Sequence, residues 1–130
     1  MMEANGTTAK DYRWAVFHQP NAKFPQKVAA MLGFNDEQIK PGLLSPVIGN
    51  TYAGAALIGL TAILDIAEPG DRILMVSFGS GAGSDAFDIH VTDKLAGRRD
   101  LALKTRDYIA RRTEIDYATY ARLRGKITMK

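Results

Sequence analysis

The chain has 130 residues, 46% of them hydrophobic and 24% charged, and contains no cysteine. That length and balance suit one soluble globular domain. They exclude disulfides, thiolate metal sites and a cysteine nucleophile within these residues. The net charge of +3 is uneven, with 11 Lys/Arg against 4 Asp/Glu in residues 94–130.

Residues 13–17 (Arg-Trp-Ala-Val-Phe) form an aromatic and β-branched run, so they predict a buried strand with His18 at its C-terminal end. Pro25 suits the first turn of a helix whose apolar face carries Phe24, Val28, Met31 and Leu32. Gly33 closes that helix, and Asn35 caps a further turn over 36–39. Leu43-Leu44 predicts a brief strand before Pro46. From 51 to 67 the pattern is apolar nearly all round, which predicts a buried helix. Asp65, late on that helix, reads as a solvent-side or capping residue.

Glu68-Pro69-Gly70-Asp71 is a turn signal. Residues 72–78 (Arg-Ile-Leu-Met-Val-Ser-Phe) predict a strand covered on both faces. After the glycine turn Gly79-Ser80-Gly81-Ala82-Gly83, residues 85–91 alternate, with Phe87, Ile89 and Val91 inward. That is a half-buried strand returning antiparallel. Helices follow over 105–112, capped by Thr105, and over 116–124, capped by Asp116 and ended by Gly125. The order is β-α-β-α-β-β, an α/β chain with a mixed, mostly parallel sheet and an antiparallel last strand.

The C-terminal basic residues interleave with Leu101, Leu103, Tyr108, Ile109, Tyr117, Tyr120 and Leu123, the pattern of amphipathic helices with solvated basic faces. No nucleic-acid motif accompanies the charge, so no nucleic-acid partner is expected. The N-terminus has no basic region followed by an apolar core, and the longest apolar run, 53–67, is broken by Gly54, Gly59, Thr61 and Asp65. It falls short of the ~20 residues of a membrane span. No membrane association is expected, and the location expected is cytoplasmic.

Three clusters carry chemistry. His18 sits where a strand ends, the usual place for active residues in open α/β sheets, and imidazole both donates and accepts protons near neutrality. Lys23 and Lys27 lie four apart on the following helix and offer either two solvated lysines or a cationic rim for a phosphorylated carrier. Asn50 is either a helix N-cap or an amide offered to a thioester carbonyl. The glycine turn is either a simple hairpin connection or a set of N–H groups for an oxyanion. It lacks the spacing and lysine of a phosphate loop, and a strand follows it where a dinucleotide fingerprint needs a helix. His90 reads as structural.

In this order and spacing the clusters resemble the C-terminal part of thiolase-fold acyl-condensing enzymes, above all hydroxymethylglutaryl-CoA synthases of the archaeal type. The resemblance runs from Asp11 to about Ile127. It is carried by Ala15-Val16-Phe17-His18-Gln19-Pro20-Asn21-Ala22-Lys23-Phe24-Pro25, Ile48-Gly49-Asn50-Thr51-Tyr52 and Pro69-Gly70-Asp71-Arg72-Ile73-Leu74. The glycine turn and Ile115-Asp116-Tyr117-Ala118-Thr119-Tyr120-Ala121 extend it.

What the resemblance implies is specific. An N-terminal portion supplies a Cys that takes the acetyl group of acetyl-CoA and a Glu that removes a methyl proton. The carbanion then attacks the ketone of acetoacetyl-CoA, giving 3-hydroxy-3-methylglutaryl-CoA for the mevalonate pathway of isoprenoid synthesis. His18 matches the catalytic histidine, Asn50 a substrate-binding amide, Ser80 a serine beside the acyl group and Lys23 a CoA-binding lysine. Lys27 stands where relatives often have Arg, so charge is kept and bidentate phosphate bonding is lost. The resemblance implies no cofactor beyond the CoA thioesters, and no metal.

It also implies a homo-oligomer, and a complex with an acetoacetyl-CoA thiolase and a small zinc-containing protein. The sheet expected is a half-domain with strand order 3-2-4-5, its first strand and helix lying with the Cys and Glu outside residues 1–130, and the last strand forming an open edge. Two alternatives accompany this reading. One is a ketoacyl-carrier-protein synthase of the initiating class; the other is a catalytically silent CoA-binding or interaction module.

Overall fold

The computed structural model describes residues 1–126, so Ile127, where the family resemblance ends, lies outside the described residues. Three strands form one mixed sheet: β1 (Trp14–Phe17), β2 (Arg72–Gly79) and β3 (Gly83–His90). β1 pairs parallel with β2, and β3 pairs antiparallel with it, in the order β1-β2-β3. The helices are α1 (Lys23–Leu32), α2 (Asp36–Ile39), α3 (Ser45–Ile48), α4 (Ala55–Leu64), α5 (Thr105–Ala110) and α6 (Tyr117–Leu123).

β2 is central, and its alternating side chains feed two cores. Leu74 joins Ala15 and Phe17 of β1 in a core with Ala29, Phe34, Ile39 and Tyr12. Ile73 and Met75 point the other way, with Val16, into a core with Ala56, Ile63, Ala67 and Val91. A strand buried on both faces needs an unbroken apolar run, and residues 73–76 supply it. Phe17 and Phe34 meet edge to face with ring centroids 5.9 Å apart, an arrangement that adds about 0.5–1.5 kcal/mol to the area buried.

Local signals set the helix ends. Gly33 closes α1 in the left-handed region at φ 87°. Asn35 and Gln38 form a reciprocal capping box at α2, and the Asp116 side chain accepts the Thr119 N–H at 2.7 Å to open α6. At α5 the cap comes from elsewhere. Thr105, expected as the cap, is the first helical residue, and its N–H donates to the Asp65 carboxylate at 2.6 Å. Asp65 thus caps α5 across the fold.

Several expectations are corrected. Leu43-Leu44 forms no strand, because the Leu44 and Ser45 N–H groups donate to the Gln19 side chain (2.7 and 2.9 Å) and leave nothing for a ladder. The sheet therefore has three strands among the described residues, not four. The helix expected from residue 51 starts at Ala55, after a single 3₁₀ turn over Tyr52–Gly54. Its outer side is not buried: Leu57 is 55% exposed, while Ala55, Ala56, Gly59, Ala62 and Ile63 face the core.

On α1 the buried residues are Pro25 and Ala29, whereas Phe24, Met31 and Leu32 are exposed. On β3, Phe87 is exposed and Asp88 on the other face is largely covered. Ile89 and Val91 pack inward as expected, and what covers Asp88 is an ion pair. Both guanidinium nitrogens of Arg72 that reach Asp88 donate to its carboxylate, as do the Asn5 amide and the Tyr12 hydroxyl, each at 3.1 Å.

These hydrogen bonds, Arg72's foremost, hold the Asp88 carboxyl down at about 2. A pKa lowered by folding contributes stability above the unfolded value near 4 and loses it as pH falls through the folded value. Asp88→Asn is therefore expected to lower the urea midpoint by a constant amount above pH 5. That deficit should shrink between pH 4 and pH 2, as urea unfolding followed by circular dichroism will read. A deficit independent of pH would count against the charge of Asp88 as the cause.

Candidate active site

Parallel pairing continues one residue past β1, because the His18 N–H donates to the Val76 carbonyl at 2.8 Å. The backbone of His18 is thereby fixed to the central strand, and its ring stands 5.8 Å from that of Phe78 near the end of β2. The imidazole Nδ1 is buried and has no hydrogen-bond partner among the described residues. A buried ring nitrogen without a partner is costly.

His18, Asn50 and Ser80 line one open cavity of about 550 Å³, together with Tyr52, Ala53, Phe78 and Gly79. Each of the three clusters therefore contributes to it. Lys23 and Lys27 do not line this cavity; both are exposed, at the first and fifth positions of α1. His90 lies elsewhere, exposed at the far end of β3, with its Nε2 3.8 Å from Asp88.

The segment that presents Asn50 has unusual backbone. Gly49 lies at φ 74°, ψ −166°, a region essentially reserved for glycine. Tyr52 lies at φ 53°, uncommon for a bulky residue. Between them the Asn50 Oδ1 accepts the Tyr52 N–H at 2.7 Å. Asn50 is thus no cap for α4. Its carbonyl is committed to the loop, while its Nδ2 has no partner among the described residues and remains a donor.

At the opposite wall, β2 and β3 join through Gly79↔Gly83, leaving Ser80, Gly81 and Ala82 as a three-residue tip. Gly81 (φ 103°) and Ala82 (φ 63°) both take left-handed backbone, which turns the chain tightly enough to hold Ser80 beside the cavity. Sequence reasoning missed Tyr52 as a lining residue, and it missed Gln19 altogether. Gln19 is 3% exposed, and its side chain makes four hydrogen bonds. The one signal available for it was a polar residue directly after a buried strand.

A histidine, an amide donor and a glycine turn thus meet at one cavity of a mixed α/β unit. Residues 2–89 match the family described as 3-oxoacyl-[acyl-carrier-protein (ACP)] synthase III C terminal, and the chain belongs to that family. The hydroxymethylglutaryl-CoA synthase of Methanocella arvoryzae is 59% identical over 127 residues, 98% of this chain and 37% of the relative. That of Thermococcus kodakarensis is 61% identical over 126 residues, 97% of this chain and 36% of the relative. The chain thus spans little more than a third of the length of the curated relatives it matches.

Among solved structures, an HMG-CoA synthase complexed with CoA superposes with a TM-score of 0.71 at 22% identity, covering 93% of this chain and 34% of that one. PksG, an HMG-CoA synthase from Bacillus subtilis, gives 0.70 at 19%, covering 90% and 33%. At these identities the superpositions establish the fold: a thiolase-like α/β unit, matched over part of a larger protein. Among the described residues no helix is long and apolar enough to cross a membrane.

Proposed function

We propose that this chain forms the C-terminal part of a hydroxymethylglutaryl-CoA synthase and acts in the condensation of acetyl-CoA with acetoacetyl-CoA. The observation that carries the reading is the convergence of His18, Asn50 and Ser80 on one cavity in a chain about 60% identical to such synthases. The nucleophilic Cys comes from polypeptide outside these residues, since the chain has no cysteine, and the family resemblance assigns the general-base Glu to the same portion.

The steps are ordered by what each group can do. The Cys thiolate takes the acetyl group and releases CoA, and the Glu carboxylate then removes a methyl proton. The carbanion attacks the ketone carbon of acetoacetyl-CoA, and the ketone oxygen becomes an alkoxide. His18 hydrogen-bonds that oxygen and transfers a proton to it as the charge develops, and water then hydrolyses the thioester to the Cys, releasing the product as a carboxylate and restoring the thiol. Asn50 donates through Nδ2 to a thioester carbonyl, and Ser80 with the turn N–H groups contacts the acyl group. Lys23 and Lys27, both solvated, form a cationic rim for the CoA phosphates outside the cavity.

The chain alone is expected to show no condensation. Turnover should appear when it is combined with a polypeptide supplying the rest of a relative's length, as followed by release of free CoA thiol. Turnover by the isolated chain would overturn this division of labour. Binding of that polypeptide without turnover would favour a silent interaction module.

The family match favours one second reading, a ketoacyl-carrier-protein synthase-like enzyme, in which the acyl group arrives on a carrier protein. One superposable structure, the Curacin pathway HMG synthase, is itself in complex with a donor ACP. A panel of CoA against carrier-protein thioesters on the combined enzyme decides between them. Assembly into a homo-oligomer, or with a thiolase and a small zinc-containing protein, belongs to the same proposal, and sedimentation of the combined enzyme tests it.

A further inference from the structure

His18 and Asn50 come to the cavity on different segments, and one buried side chain ties those segments together. We propose that Gln19 is the positioning residue that sets Asn50 relative to His18, by clamping both ends of the loop that carries Asn50. This role rests on the functional reading above and deepens it.

The Gln19 amide is filled to capacity. Oε1 accepts the N–H groups of Leu44 (2.7 Å) and Ser45 (2.9 Å), where α3 begins. Nε2 donates to the carbonyls of Gly42 (2.8 Å) and Ala55 (3.3 Å), the latter at the start of α4. Two lone pairs and two N–H groups are all that a glutamine offers. Residues 46–54 lie between these anchor points and include Asn50, Tyr52 and Ala53, which line the cavity.

Little else pins that loop. It contains the two left-handed positions Gly49 and Tyr52, and most of its residues are exposed or half-buried. Strained backbone persists only where its surroundings hold it: inside the loop the Gly49 N–H donates to the Ser45 carbonyl and the Tyr52 N–H to Asn50 Oδ1, and Gln19 anchors the residues at its two ends. Gln19 is also the neighbour of His18, whose own N–H is bonded to β2. One stretch of backbone therefore fixes the imidazole to the sheet and the Asn50 loop to the imidazole. The helix makes room for the clamp: a Cβ at Gly59 would lie 2.9 Å from Gln19 Nε2.

Hydrogen exchange and kinetics together test the role. In Gln19→Leu, the amides of Leu44, Ser45 and the hydrogen-bonded Val47, Ile48, Gly49, Tyr52 and Gly54 should lose protection at least tenfold, while those of β2 at 73–76 keep theirs. In the combined enzyme kcat should fall at least tenfold with KM changed less than threefold. Phe34→Leu, in the opposite core, serves as a stability-matched control and should keep kcat per folded molecule. Gln19→Glu retains the acceptor for Leu44 and Ser45 and loses the donors to Gly42 and Ala55, so its exchange should rise near 42–43 and near 51–55. This second variant carries the test if Gln19→Leu does not fold.

Unchanged protection at 44–54 in the leucine variant, or unchanged exchange near 51–55 in the glutamate variant, would overturn the clamp. So would a kcat equal to that of Phe34→Leu. Full activity of a His18→Ala enzyme would instead sink the functional reading and leave the exchange result standing.

Discussion

His18→Ala, in the enzyme completed by its Cys- and Glu-bearing portion, is expected to lower the condensation rate by roughly 10²–10⁴-fold, the usual loss when a positioned acid–base group is removed. Acetylation of the cysteine should proceed at its normal rate, because that step uses groups outside this chain. The asymmetry matters more than the size. A fold defect would depress both steps together, whereas loss of the proton donor touches only the step in which the ketone oxygen gains charge. Asn50→Ala should also slow condensation, through the lost Nδ2 hydrogen bond. His90→Ala should alter stability alone, since that side chain is exposed and remote from the cavity. Rapid-quench measurement of acetyl-enzyme formation beside steady-state turnover separates these cases. Equal condensation by His18→Ala and the unmodified enzyme would remove His18 from the mechanism.

Gly59→Ala is expected to produce the largest stability loss of any single methyl group added to this chain, about 3 kcal/mol. Helix propensity alone argues the opposite, since replacing a mid-helix glycine by alanine usually gains about 1 kcal/mol. Packing decides the sign. The new Cβ would lie 2.5 Å from Val16 Cγ2, 2.7 Å from the Gly42 carbonyl oxygen and 2.9 Å from Gln19 Nε2. Two of these neighbours cannot yield cheaply, because Val16 belongs to β1 and the Gly42 carbonyl is backbone already bonded to Gln19. Gly54→Ala is the control: its nearest neighbour is the flexible end of Ile58 at 3.9 Å, so any change there should be small. Urea unfolding of both variants compares them, and an unchanged midpoint for Gly59→Ala would show that β1 and α4 pack less tightly than these distances require.

Residues whose role depends on near neighbours in the chain were legible in the sequence. The Gly33 closure, the Asn35–Gln38 box, the Asp116 cap and the hairpin through Gly79 and Gly83 each bond within a few positions. So was the β1–His18 junction, because a buried strand and its end residue are visible as a pattern. Leu43-Leu44 misled for a definite reason. Its apolar character is that of a strand, yet its donors are captured by a side chain more than twenty positions earlier. Phe87 misled because alternation cannot reveal how far the core extends along β3: Ile89 and Val91 on the same face pack inward, while Phe87 nearer the hairpin is left exposed.

The sequence by itself determined the fold class, the central strand, and the three clusters that carry the chemistry. It also excluded a cysteine nucleophile within these residues. Only the tertiary structure decided that His18, Asn50 and Ser80 share a cavity while Lys23 and Lys27 do not. It alone showed that the Asn50 loop has strained backbone, that Gln19 bonds to the segments at both its ends, and that Asp65 caps a helix forty residues away. The reason is one of range. Caps, turns and periodic burial are settled by residues a few positions apart, whereas a cavity and a clamp are made of hydrogen bonds and contacts that exist only once distant segments have packed.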